Sequence, residues 1–172
     1  TPNLENSLPE LTFKHQKIIQ LDVERIEIIN EFKMPFKFPN VEHLVPISPG
    51  ASAERWASDI LRPIGKSGIA QFVITNGSVI REDLKIQKGV KGIFSLEHSK
   101  RFEANVNVRL EIFKDQKKSV ARASASRSQT LREDASPNLQ SRLWYNLVER
   151  LMESFNREMR NQIDAHLRLF VS

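Results

Sequence analysis

The sequence predicts an α+β domain, a two-layer sandwich in the order β-α-β-β-β-α, with a four-stranded sheet carrying two helices on one face. Three observations carry that prediction. Residues 136–170 hold an apolar stripe at helical spacing, behind a Ser-Pro start and unbroken by Gly or Pro. Residues 101–114 alternate apolar and polar side chains along their whole length. The remaining chain offers shorter runs of Ile, Val and Phe set apart by Pro and Gly, as short strands and one short helix require.

The 172 residues suffice for one domain with a real core. No apolar run approaches the ~18 residues of a membrane span, and the polar start Thr1-Pro2-Asn3 shows no signal-peptide pattern. Cysteine is absent, which excludes disulfides, thiolate zinc sites and cysteine nucleophiles. The net charge is +5, but the 26 Lys and Arg are spread among 21 acids, a pattern of solubility more than of a binding stripe.

In chain order, residues 1–16 are polar, contain Pro2 and Pro9, and read as an N-terminal linker to a single domain over 17–170. Residues 17–33 read as the first strand. Ile19, Leu21 and Val23 alternate with polar residues, then the phase slips to Ile26 and Ile28, which predicts a bulge or bend near Glu24-Arg25. Residues 34–50 hold four prolines and read as an extended loop. Its apolar residues Phe36, Phe38, Val41, Leu44 and Val45 either pin it to the core or line a groove. Ser48-Pro49 opens a short helix whose Ala53, Trp56, Ala57, Ile60 and Leu61 share one face. Pro63 and Gly65 stop it.

Residues 68–82 form the second strand. Asn76-Gly77 suggests a hairpin turn, or a bulge inside one longer strand. Residues 83–100 read as a flexible basic loop with an apolar anchor at Ile93-Phe94. Residues 101–114 are the cleanest strand, turned by residues 115–118 into a last strand over 119–131. There Ala121, Ala123 and Ala125 leave room for a helix to approach.

Ser136 caps the final helix, and Pro137 fits its first turn. Leu143, Leu147, Leu151, Phe155, Met159, Ile163 and Leu167 recur every four residues. That spacing overshoots the helical turn, so the stripe rotates by about 240° from Leu143 to Leu167. Either the helix wraps a twisted sheet, or its second half overhangs and docks on a partner through Met159, Ile163 and Leu167.

No stretch carries recognisable catalytic chemistry. Gly65-Lys66-Ser67 lacks the glycine of a phosphate-binding loop, since Ile60 stands there, and it follows a helix where a strand is needed. His15, His43, His98 and His166 have no partner at ligand spacing, so neither metal nor cofactor is expected. The chain reads as a non-enzyme. Arg109, Arg122 and Arg127 with Lys114, Lys117 and Lys118 put positive charge near the last two strands, so a basic nucleic-acid-binding module is the alternative reading. It lacks the exposed aromatics on which bases stack. Pairing of helix ends between copies is a third, fainter possibility.

The element order, the proline-rich loop and the long last helix resemble small proteobacterial envelope lipoproteins. The stretch Pro39-Asn40-Val41-Glu42-His43-Leu44, then Pro46, Ser48-Pro49 and Trp56-Ala57, is similar to an uncharacterised lipoprotein family of this kind. The layout also resembles the lipopolysaccharide-assembly lipoprotein, penicillin-binding-protein activator lipoproteins and auxiliary lipoproteins of ABC-type lipid transporters. The likeness covers roughly residues 17–168. It implies a periplasmic accessory of a transport or assembly machine, held at the membrane by a lipid anchor outside this chain. The implied partner is an envelope protein or a lipopolysaccharide-type glycolipid. Phe36, Phe38, Val41, His43 and Leu44 in the loop, with Met159, Ile163 and Leu167 on the helix, are the candidate partner-binding residues.

Overall fold

Alternation builds the sheet. Phe102, Ala104, Val106, Val108, Leu110 and Ile112 are all buried, and they lie on one side of β6 (Ile93–Lys114). In the computed structural model, which describes residues 8–90 and 92–172, β6 is the spine of the fold. Along one edge it pairs antiparallel with β4 (Ile69–Asn76) and β5 (Val79–Val90); along the other it pairs with β7 (Lys117–Arg132). β2 (Arg25–Asn30) adds in parallel to β4. A separate two-stranded parallel sheet joins β1 (Ile19–Leu21) to β3 (Leu61–Pro63). The helices are α1 (Pro49–Ile60) and α2 (Pro137–His166), followed by a 3-10 turn at Arg168–Phe170.

The α+β class with two helices therefore holds, while the strand count differs from the expected four. The phase slip after Val23 is a division between sheets: β1 joins β3, and β2 joins β4. Leu61-Arg62-Pro63 is too short and too proline-bound to read as a strand, and it pairs only because Ile19–Leu21 runs beside it. Gly65 follows, and a Cβ there would lie 2.6 Å from the Val23 nitrogen, so the Gly-Lys-Ser stretch is a close joint between two chain segments.

Asn76-Gly77 is not a hairpin. Ile74 pairs with Val108 and Asn76 with Asn107, so Thr75 is a one-residue bulge. Val79 opposite Ala104 then keeps the new register, and β4 and β5 run on as one bent path along β6. Gly77 is needed at the bend, because a Cβ would come within 2.8 Å of the Gly50 nitrogen at the start of α1. The basic stretch expected as a loop is the outer part of the β5–β6 hairpin, where Val90 faces Ile93. Ile93 is 78% exposed and anchors nothing; the Phe94 side chain lies outside the described residues.

The β6–β7 turn is tighter than expected. Lys114 pairs with Lys117 across Asp115 and Gln116, both at positive φ (53° and 62°), as a type I′ turn requires. Glutamine is strained there. Gln116→Gly is expected to raise stability by about 0.5–1 kcal/mol. An unchanged or lower urea midpoint would contradict that.

Both helix starts follow their sequence signals: Ser48 Oγ accepts from the Ala51 N–H at 3.1 Å, and Ser136 Oγ from the Leu139 N–H at 3.2 Å. Between the helices and the sheet sits an aromatic cluster. Trp56 stacks on Phe72 at 5.7 Å, and Phe155 meets Trp56 edge-on at 5.3 Å. The Trp56 Nε1–H donates to Asn156 Oδ1 at 2.9 Å, which ties α1 to α2.

The second half of α2 does not overhang. Met159, Ile163 and Leu167 are buried in the core. The rotating stripe meets a new cover at each stage. Trp144 packs edge-on against Phe102 of β6, and Phe155 against Trp56 of α1. Ile163 lies beside Ile19 and Val171. The segment after α2 returns along β1, with a bridge between Leu21 and Val171, and Asp22 N–H donates to Phe170 O at 2.8 Å. The drift thus reflects partners placed around the helix, not a free docking line.

The N-terminal linker also starts earlier than its docking. Residues 1–7 lie outside the described residues. Leu11 and Phe13 are buried, and the Phe13 N–H donates to Asp59 Oδ2 of α1 at 2.9 Å. Arg55 clamps the same arm, 2.8 Å from Glu10 and 3.2 Å from Asp59.

Candidate docking loop

The proline-rich loop between β2 and α1 lies on the sheet edge opposite β7. Its prolines withhold donors, so few backbone bonds can hold it, and those present are placed at one point. The Val41 N–H donates to Val79 O and the Arg81 N–H to Pro39 O, both at 2.8 Å. Residues 39–41 thereby run along the β5 edge just past the place where β2 ends. Val41 and Val45 are buried beneath, as the apolar pattern predicts.

Above this pinned base, three large apolar side chains stand in solvent. Phe36 is 68% exposed, Phe38 61% and Leu44 58%. Phe36 has φ 58°, a left-handed backbone that costs an aromatic residue about 1–3 kcal/mol and persists only where the surroundings impose it. Its ring lies 5.4 Å from the His43 ring. The Arg81 guanidinium lies 5.7 Å from the centre of the Phe38 ring, within cation–π range. The Phe38-Pro39 peptide is cis.

Two contributors to this site, Glu42 and Arg81, escape sequence reasoning. Glu42 is buried, and its Oε1 accepts from Asn40 Nδ2 at 2.8 Å. Its Oε2 and the neighbouring His43 Nδ1, 4.0 Å apart, have no hydrogen-bond partner among the described residues. Arg81 joins from β5. Nothing in the run Asn40-Val41-Glu42-His43 signals that its carboxylate points inward, and only the β5 pairing shows why it does.

Of the eight predicted partner-binding residues, the structure exposes Phe36, Phe38 and Leu44, sets the half-buried His43 beside Phe36, and buries Val41. Met159, Ile163 and Leu167 belong to the core. Beside Ile163, a cleft of about 200 Å³ is lined by Lys17, Ile18 and Arg160. There Arg160 donates to Lys17 O and Asn156 Oδ1, and burial lowers its pKa.

On the outer face of the sheet, Arg109, Lys114 and Lys118 of the expected basic group are paired with acids. Arg109 pairs with Glu31 at 3.1 Å and Glu111 at 2.9 Å, and its hydrogen bond to Glu31 raises its pKa further. Lys118 pairs with Glu111 and Lys114 with Asp22. Gln71 and Arg25, in that order of effect, lower the Glu27 pKa by hydrogen bonding. Arg127 projects to the helix side and donates to Ser154 Oγ. Among the described residues, no three His, Asp or Glu side chains gather as a metal site would require, and no helix is long and apolar enough to cross a membrane.

No known family model matches the sequence, and comparison with curated proteins finds no match.

Proposed function

We propose that this chain is a non-catalytic periplasmic accessory domain, tethered through a lipid anchor outside it, whose Phe36–Leu44 loop binds an envelope protein or a lipopolysaccharide-type glycolipid. The observation that carries the reading is the exposed trio Phe36, Phe38 and Leu44, fixed on a loop whose base is buried. Apolar side chains of this size gain about 1.5–3 kcal/mol each when covered, so a monomer has reason to expose them only for a partner. The α+β class with two helices and a curled sheet is compatible with the layout of the envelope lipoproteins that the sequence resembles.

Two measurements test this. The precursor made in cells should carry an acylated N-terminal cysteine and partition with membranes. A soluble, unlipidated precursor removes the envelope reading. The triple variant F36S/F38S/L44S should keep its thermal midpoint within a few degrees, since all three side chains are exposed. Flotation with phospholipid vesicles containing or lacking lipopolysaccharide then separates the occupants. Loss of lipopolysaccharide-dependent flotation by at least about tenfold in the variant assigns the glycolipid. No flotation by the parent chain leaves the protein partner. A variant that unfolds shows that the trio serves the fold, and the docking role fails.

A further inference from the structure

The edge of the sheet opposite the loop is open. β7 pairs with β6 in one unbroken register, so every second residue turns its N–H and C=O outward. The tight turn pairs Lys114 with Lys117, which sends the backbone groups of Val120, Arg122, Ser124, Ser126 and Ser128 to the free side. Among the described residues, no backbone bond from another segment reaches them. The edge is long, at 16 residues, and from Ala121 to Ser128 its side chains are Ala and Ser apart from Arg122 and Arg127, which leaves the backbone accessible.

Its own charges are all positive, and of these Lys118 pairs with Glu111 and Arg132 with Glu97 and Asp134. β7 contains Lys117, Lys118, Arg122, Arg127 and Arg132, and no acid. Arg122 is exposed and takes part in no ion pair among the described residues. Alongside, a groove of about 540 Å³ lies between the first half of α2 and Gln129 near the end of β7. Arg142, Arg150 and Asn146 line it with Gln129 of β7, over Leu139 and Leu143; Glu149 is the single acid there. Arg150 donates to Gln129 Oε1 at 3.0 Å, bridging helix and strand at the groove floor.

We propose that the β7 edge and the α2–β7 groove take up an extended acidic peptide, which adds to the sheet as a further strand. Backbone pairing uses the outward N–H and C=O groups, both of which only another strand can satisfy in alternation. Every second peptide side chain then enters the groove, where carboxylates meet Arg142 and Arg150 and small apolar groups meet Leu139 and Leu143. The other carboxylates reach Arg122 on the outer face. A second copy is a poor occupant, since two basic edges repel. A nucleic acid would pair with the cations but would leave the edge donors and acceptors unmatched. This surface is independent of the Phe36–Leu44 loop and stands or falls without it.

The test uses the whole 172-residue chain and a capped nine-residue peptide, Glu-Glu-Val-Val-Glu-Glu-Val-Val-Glu, which places both residue types on each face of the added strand. On titration, the amide resonances of Arg122, Ser124, Ser126 and Ser128 should shift more than those of Ala121, Ala123 and Ala125. The same peptide N-methylated at every second residue should bind at least about tenfold more weakly, because methylation removes the strand-edge donors. R122E/R150E, with an unchanged thermal midpoint, should also weaken binding by about tenfold or more. The proposal is overturned if β7 amides stay unshifted at about millimolar peptide, or if the methylated peptide binds equally. Self-association through β7, or displacement of the peptide by a short oligothymidylate, also overturns it. If the charge-reversed variant fails to fold, the methylated peptide on the parent chain decides.

Discussion

Replacing Met159, Ile163 and Leu167 together with serine leaves the chain unfolded at 25 °C. Each of these side chains is buried, and truncating a buried side chain of this size costs about 2–5 kcal/mol. Serine adds a hydroxyl with no evident partner, at about 1–3 kcal/mol more per site. Even the low end of the sum reaches the whole stability of a typical domain, about 5–15 kcal/mol. Far-UV circular dichroism and the dispersion of the amide spectrum read the outcome. A variant that keeps a cooperative transition near the parent midpoint would mean that the end of α2 is a surface after all, with its docking role restored.

Phe155→Ala is expected to lower stability by about 3–5 kcal/mol. The Phe155 ring is fully buried and stands edge-on to both Trp56 and Phe72, with centroids 5.3 and 6.4 Å away. Such aromatic pairs add about 0.5–1.5 kcal/mol beyond their area. Its removal also undermines the Trp56–Asn156 hydrogen bond one residue further along α2. The urea midpoint should fall with little change in slope, because the surface exposed on unfolding stays similar. A loss under about 1 kcal/mol would show that the packing of α1, α2 and the sheet does not depend on this ring.

Much of this architecture is legible in the residues, for identifiable reasons. Strict alternation from Phe102 to Ile112 and the serine caps at Ser48 and Ser136 are local signals that no distant contact overrides. The bulge at Thr75 is harder to see, because Asn76-Gly77 has the chemistry of a hairpin and only the long partner β6 carries the chain straight on. β3 is invisible, because three residues ending in proline have no periodicity to read. The fate of α2 depends on the return of residues 168–172 to β1, a contact that the helix itself does not encode. At the loop, apolar residues among prolines leave open whether they pin the loop or line a groove; Val41 and Val45 are buried, and Phe36 and Phe38 stand exposed. The inward turn of Glu42 was not legible, since a carboxylate between Val41 and His43 reads as solvent-facing.

The return of the last residues to the first strand also sets a sequence of events. β1 is made early, yet Phe170, Val171 and Ser172, whose backbones flank Leu21 and Asp22, are the last residues of this stretch to be synthesised. Neighbours so far apart along the chain raise the contact order, and closing them forfeits the most chain entropy. The β6–β7 hairpin, by contrast, closes through a two-residue turn and needs nothing beyond Arg132. On that ground the middle of the sheet is expected to assemble first and the contact between β1 and residues 170–172 last, which leaves the apolar line at Ile163 and Leu167 without its final cover until then.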